Sequence, residues 1–418
     1  MDIGVIGSGI AGITASHYLQ NDHNVTLIEK SQSIGGHSKT ITIDKGYDAG
    51  TKIDVGFIVY NDTNYPTLTD FFKTLSVKAK KTDMSFSFSD EKGTQYAGTG
   101  PLGIFSKPIN IINIQHYIFI KNIIHYSKLL SNAINMNEIP EHKTIKDFLS
   151  DNNCPLNVIN RYFIPMASAI WSNSNNDSCD MPAVFFARFF ENHGLLFPKQ
   201  KPNWFSVDNG SEQYLKKFTL DFKGELIKGD AVKTIHRNSK KVYLNTLSGK
   251  SFQFDKIVIA THADQVLPLL DKPEKEEIEI FDKWHYSINK VVLHSDSKFL
   301  PKSKFARASW NFYERRINEK SNSASISYYM NRLQRLKTKN DYIVTLNPIS
   351  NPKNGSIIFS TEFSHPTFNI QSINTQPKLS NLQGKSNTYY CGSYHGYGFH
   401  EDAANSALQV SNLIKQVK

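Results

Sequence analysis

Residues 2–30 constrain this chain more than any other stretch. A short apolar run, Ile3, Val5 and Ile6, turns through Gly7-Ser8-Gly9-Ile10-Ala11-Gly12 into a helix-period run of Ile13, Ala15, Tyr18 and Leu19. A second apolar run, residues 24–28, follows and ends on Glu29. Strand, glycine turn, helix, strand and acid in register predict a βαβ unit that holds a dinucleotide. Gly7 allows the tight turn, Gly9 lets backbone approach a pyrophosphate, and Gly12 lets the helix pack close to the strand. The helix start at Ile10 and Ala11 is then free to hold phosphates. Glu29, with Lys30 beside it, stands where an acid takes ribose hydroxyls, on the order of 20 residues beyond the glycines.

The 418 residues suffice for two intertwined domains, and 39% hydrophobic with 12% aromatic content reads as a folded chain. Three cysteines without a C-x-x-C pair predict neither a disulfide framework nor a zinc site, and so a reducing compartment. With a nucleotide-binding strand at residue 2 and no run near the ~18 apolar residues of a membrane span, the expectation is a cytosolic protein. The net charge of +10 comes without any nucleic-acid-binding signature, so nucleic acid is not an expected partner. Lys298, Lys302, Lys304 and Arg307 form one basic segment, and Arg332, Arg335, Lys337 and Lys339 another. A solvated face and contact with an anionic membrane surface are the two readings.

Further along come Gly35-Gly36-His37 and then Asp54-Val55-Gly56. With the opening motif, this order resembles the flavin-containing amine oxidase and phytoene desaturase superfamily. That resemblance implies an α/β fold: a Rossmann-like FAD-binding domain of the amine oxidase type, interleaved with an α+β substrate domain. It also implies that Gly35 and Gly36 pack against the FAD diphosphate and ribityl chain. Where the superfamily has an arginine near the pyrophosphate, His37 gives up a fixed positive charge and leaves backbone N–H groups to do more. The stretches 54–61, 83–87, 165–172, 189–196, 260–264 and 396–402 resemble more closely a bacterial subgroup found beside cyclopropane-fatty-acid-synthase-like methyltransferases. A lipid methyltransferase is thereby implied as a partner.

The expected FAD-binding domain comprises residues 1–82, 206–266 and 387–418; residues 83–205 and 267–386 form the substrate domain. Within the former, the resemblance assigns Val232 to adenine contact and brings the strand ending at Thr261 to the cofactor. The last strand ends on Gly392, where the superfamily's ribityl-holding acid is replaced by Ser393. A helix then opens at Phe399, His400 and Glu401, its N-terminus at the flavin pyrimidine, where free N–H groups favour the reduced anion. In the substrate domain, residues 108–130 read as one amphipathic helix, either a cap-core helix or a monotopic helix in a bilayer interface. Phe163, Met166, Ile170, Trp171, Phe185, Phe186, Phe189, Phe190 and Phe197 supply core packing or the lining of a greasy pocket.

For chemistry, Lys290 resembles in position the lysine that holds a water at the reactive flavin nitrogen, with a surface edge-strand lysine as the competing reading. Tyr397, His395 and His400 lie on the loop best placed to line the flavin face. The expected function is an FAD-dependent oxidoreductase acting on a lipid's fatty acyl chain. The alternatives are a flavin-dependent double-bond isomerase, an amine oxidase, and a flavin-bound scaffold for the methyltransferase.

Overall fold

Residues 1–196, 202–316 and 322–416 are described by a computed structural model. Five parallel strands build the cofactor sheet, in the spatial order Glu225–Lys228, Asn24–Glu29, Asp2–Ile6, Lys256–Ile259 and Thr388–Tyr390. Such strands are covered on both faces and so read as continuous apolar runs; Ile3, Val5, Leu27, Ile257, Val258 and Ile259 are all fully buried. Helix Ile10–Leu19 packs against the last helix, His400–Gln416. Ala11, Ala15, Ala403, Ala404 and Ala407 share their core, where small side chains allow close approach.

A three-stranded antiparallel layer, Val232–Arg237, Val242–Thr246 and Ser251–Phe254, lies over this sheet. It is tied to the last strand by a buried cluster. The guanidinium of Arg237 grips both carboxylate oxygens of Glu277, at 2.5 and 2.9 Å, and the Tyr390 hydroxyl donates to the same carboxylate. Burial raises the Glu277 carboxyl, but hydrogen bonds from Arg237 and Tyr390 outweigh it and hold the group below its ordinary range. Removing one member of a buried pair strands the other's charge. Glu277→Ala is therefore expected to cost about 3–5 kcal/mol, measured by denaturant unfolding.

Seven strands form the second large sheet, in the order Ile357–Thr367, His285–His294, Ile343–Leu346, Asn322–Tyr329, Trp310–Arg316, Phe86–Asp90 and Gln95–Ala97. Segments from before and after the second part of the parallel sheet contribute, with Phe86–Asp90 parallel to Trp310–Arg316. Two buried carboxylates join this part to the parallel-sheet part: Asp48, which accepts from Lys339 N, Asn340 N and the Tyr342 hydroxyl, and Asp54. Fully buried Asp54 accepts from Thr40 Oγ1 (2.6 Å), Ser211 N (2.8 Å), Ser211 Oγ (2.9 Å) and Gln334 Nε2 (3.0 Å).

The helix expected over residues 108–130 is two helices. Ile109–Ile112 stops at Asn113, whose extended backbone and side chain cap the next helix, Ile114–Asn135, by accepting from Gln115 N. Among the described residues, no helix is long and apolar enough to cross a membrane.

Candidate active site

The loops at one end of the parallel sheet surround a cavity of about 1400 Å³, larger than the ~300–1,000 Å³ of most ligand pockets. One end is the glycine turn. Gly7 sits at φ +95°, and a side chain on Gly12 would meet the Gly7 carbonyl oxygen at 1.8 Å, so the third glycine sets the helix–turn distance. A side chain on Gly9, by contrast, would meet no protein atom within 4 Å, and no side chain caps the helix there. Bare backbone N–H groups thus open onto the cavity. The Glu29 carboxylate is oriented by Ser8 N (2.9 Å), Ser8 Oγ (2.7 Å) and Ser31 N (2.9 Å).

Four histidines line the middle: His37, His262, His365 and His400. Burial pushes His37 down to about 4, and burial followed by the neighbouring His37 and Lys30 pushes His262 down to about 3. Burial also holds His365 well below its usual value, and burial with His37 brings His400 to about 3. All are neutral at pH 7. The His37 ring stacks on Phe363, centroids 4.7 Å apart, and its Nε2–H donates to the Ser364 carbonyl (3.1 Å). That donor is committed, so His37 does not replace the superfamily arginine as a diphosphate donor through this nitrogen.

His400 is held by a relay. Tyr214 donates to Ser38 Oγ (2.6 Å), whose own proton is then directed to His400 Nε2 (3.0 Å) while the ring stacks on Phe57. Its remaining donor is Nδ1–H. Asp402, in the same helix turn, accepts from Phe399 N (2.9 Å), and burial pushes its carboxyl up to about 7.

These histidines make stability depend on pH with a definite sign. Each folded value lies below the ordinary 6.5, so the unfolded chain binds more protons once the pH drops below that value. Their contribution is complete above pH 6.5 and is lost as pH falls toward 4 and 3. One such group adds a slope of up to about 1.4 kcal/mol per pH unit. His262→Phe keeps the stacking on Tyr286, centroids 4.6 Å apart. It is expected to lose less stability than the native chain between pH 6.5 and 5, read from melting temperatures.

Of the residues expected from sequence, Gly7, Gly9, Ile10, Ala11, Glu29, Lys30, Gly35, Gly36, His37, Val232, Thr261, Gly392, Ser393, Phe399 and His400 all line the cavity. Gly12 packs beneath it. Four are elsewhere. Lys290 is exposed, with neighbouring Asn289 buried and donating to His365 Nδ1 (2.9 Å), so a water-holding role at the cavity does not fit the lysine. Glu401 accepts from Thr67 and Leu68 N–H at the start of helix Pro66–Thr74 (3.0 and 2.8 Å), where a carboxylate offsets unpaired donors. His395 and Tyr397 lie behind the lining; the Tyr397 carbonyl accepts from Trp171 Nε1 (2.9 Å). His365 and Phe363 were not anticipated; both lie on strand Ile357–Thr367, in its polar second half.

The other arm runs between the seven-stranded sheet and the helices. Met84, Phe86, Tyr96, Ile104, Ile120, Ile123, Met166, Ile170, Trp171 and Phe189 form most of its wall. Phe163, Phe185, Phe186 and Phe190 are core, and Phe197 lies outside the described residues. The charged cavity residues are Glu29 and Lys30 at the dinucleotide end, Asp264 beyond His262, and exposed Glu362 beside Phe363. Among the described residues the arm has none.

No curated protein matches the sequence. Among solved structures, the chain is similar to a fatty acid isomerase producing CLA from P. acnes, with 15% identity, TM-score 0.70, and 99% of this chain and 98% of that one covered. It is also similar to putrescine oxidase bound to putrescine, with 11% identity, TM-score 0.71 and 99% of each chain covered. Cyclohexylamine oxidase from Brevibacterium oxydans IH-35A is a further likeness, with 12% identity, TM-score 0.65 and 99% of each chain covered. Residues 10–340 match the family model described as flavin containing amine oxidoreductase.

The cavity fits the cofactor this family carries. Room above Gly9, an uncapped helix start and an oriented Glu29 suit a diphosphate and a ribose, and Val232 lines the same cavity. The chain belongs to the flavin-containing amine oxidoreductase family and is an FAD-dependent oxidoreductase.

Proposed function

We propose that the substrate is a fatty acyl chain carried by a lipid, which the enzyme desaturates or saturates. The supporting observation is the arm itself, walled by aliphatic and aromatic side chains with no carboxylate or cation among the described residues. An ammonium entering it would lose its hydration, at a cost of several kcal/mol, and meet no carboxylate; cation–π contact with the rings returns only about 0.5–2 kcal/mol. A hydrocarbon pays no such penalty, and each buried methylene contributes about 0.8 kcal/mol. His193 on this wall donates through Nδ1 to the Phe189 carbonyl (2.9 Å), and burial brings it to about 4, so it stays neutral.

FAD bound at the glycine turn supplies a hydride acceptor or donor. The chain's own residues position and shield. Trp171 and Phe189 wall the arm and exclude water, and the relay through Tyr214 and Ser38 fixes the His400 tautomer beside the N-terminus of the last helix. The fold alone does not choose a substrate, since similar structures include enzymes named for fatty acids and for amines. The first of these favours a second reading, migration of an acyl double bond without net redox change.

Anaerobic titration of the purified holoenzyme distinguishes them. Loss of the oxidised-flavin absorbance on adding phospholipid (desaturation), or recovery of that absorbance when unsaturated phospholipid is added to the pre-reduced enzyme (saturation), with primary amines inert, is the expected result. Bleaching by amines alone would overturn the reading. Absorbance that stays oxidised while double bonds move would replace it with the isomerase.

A further inference from the structure

The surface around helices Pro101–Ile104 and Ile109–Ile112 and the first turns of Ile114–Asn135 has an unusual composition. Leu102, Ile109, Ile111, Ile112, Ile114 and Phe305 are all more than half exposed, Ile112 at 80% and Ile114 at 70%. They are neighbours: the Phe305 carbonyl accepts from Thr99 Oγ1 (2.8 Å) just ahead of Leu102, and Tyr117 donates to the Ile111 carbonyl (2.8 Å) while its ring lies 5.3 Å from Phe105. A cluster of exposed large aliphatics of this kind marks an interaction surface.

Its charge is one-sided. No acidic residue occurs between Glu91 and Glu138, and none between Asp296 and Glu314. Exposed Lys121 follows on the longer helix, and exposed Lys298, Lys302 and Lys304 flank Phe305. The other basic segment differs: Arg332 is engaged by Asp83 (2.6 Å) and Lys339 sits over the Tyr47 ring. The helix carrying the patch also walls the acyl arm. Ile120, Ile123 and Ile124 line the cavity, and Ile124 is at the same time 45% exposed, so the arm reaches the surface beside the patch.

From this juxtaposition we infer that residues 101–124 with Phe305 dock the enzyme on an anionic phospholipid bilayer, the isoleucines entering the interface and the lysines meeting headgroup phosphates. Helix Ile109–Ile112 ends at the Asn113 cap, which starts the longer helix, so the exposed isoleucines of both lie on adjoining turns of chain. Docking stands by itself; that lipid passes from the bilayer into the arm rests on the acyl-chain reading.

Cosedimentation of the full chain with vesicles of phosphatidylcholine alone, and of phosphatidylcholine with phosphatidylglycerol, tests it. Binding to the anionic vesicles, weakened by salt, is expected. Ile112→Asp with Ile114→Asp should weaken it by about tenfold or more, while flavin content and melting temperature stay unchanged, since neither residue lines the cavity. Lys121→Glu with Lys304→Glu should reduce binding to anionic vesicles only. Equal binding of native and variant chains, or none to anionic vesicles, would overturn docking. So would a native dimer that the Asp variant dissolves without any vesicle binding, which would mean that a second copy covers the patch. Flavin bleaching by a detergent-dispersed acyl substrate separates the two claims: the Asp variant should bleach at the native rate, and bleaching that fails in both chains counts against the substrate, not the docking.

Discussion

Gly12→Val is expected to give a chain that purifies with little or no flavin. The added Cβ would lie 1.8 Å from the Gly7 carbonyl oxygen, a backbone atom with no room to yield. Helix Ile10–Leu19 must then move off the strand, carrying its free N–H groups away from the diphosphate. Overpacking costs about 1–3 kcal/mol, so affinity for FAD should fall by about tenfold to a hundredfold. The melting temperature of the flavin-free protein should fall too. Gly9→Ala separates the two effects, because its methyl meets no protein atom and intrudes only on the cofactor's space. Its apoprotein should melt like the native apoprotein yet bind FAD weakly. Native flavin content in both variants would show that the glycine turn does not hold the diphosphate.

Asp54→Ala should be as destabilising as Glu277→Ala. It strands Thr40 Oγ1, Ser211 N–H and Oγ–H, and Gln334 Nε2, buried donors from three parts of the chain. At about 1–3 kcal/mol for each unsatisfied group, partly recovered by relaxation, the loss is on the order of 3–5 kcal/mol in urea unfolding. Asp54→Asn retains an acceptor for Ser211 and Thr40 and faces Gln334 with a second donor, so about 1 kcal/mol is expected. The variants also differ in pH response. Burial pushes the Asp54 carboxyl up to about 6 against its hydrogen bonds, so its contribution is complete below the ordinary 3.8 and declines as pH rises through 6. Asparagine lacks that decline.

The glycine turn and the last helix were legible because both are local: turn chemistry and helix start lie within a few consecutive residues. Lys290 was not, because side chains alternate along a strand and a shift of one residue exchanges the faces; the inward residue is Asn289. The break at Asn113 escaped because the apolar period continues through it, and only the capping hydrogen bond distinguishes an interior asparagine from a terminal one. Glu401 has an acid's usual place in a first helical turn, yet its partners lie on a helix 333 and 334 residues earlier. His365 belongs to a run, Ser360 to Thr367, too polar to read as a continuing strand; its pairing with His285–Val292 is what extends it.

The order of strands in the cofactor sheet has a consequence for biosynthesis. The first βαβ unit emerges from the ribosome early, but Thr388–Tyr390 and the helix that completes the cavity come after every other element of that sheet. Until then Lys256–Ile259 is an open edge, and Ala403, Ala404 and Ala407 have not covered helix Ile10–Leu19. A nascent chain therefore displays the diphosphate turn long before the last helix can close the cavity, and flavin retention is expected to follow synthesis of that helix.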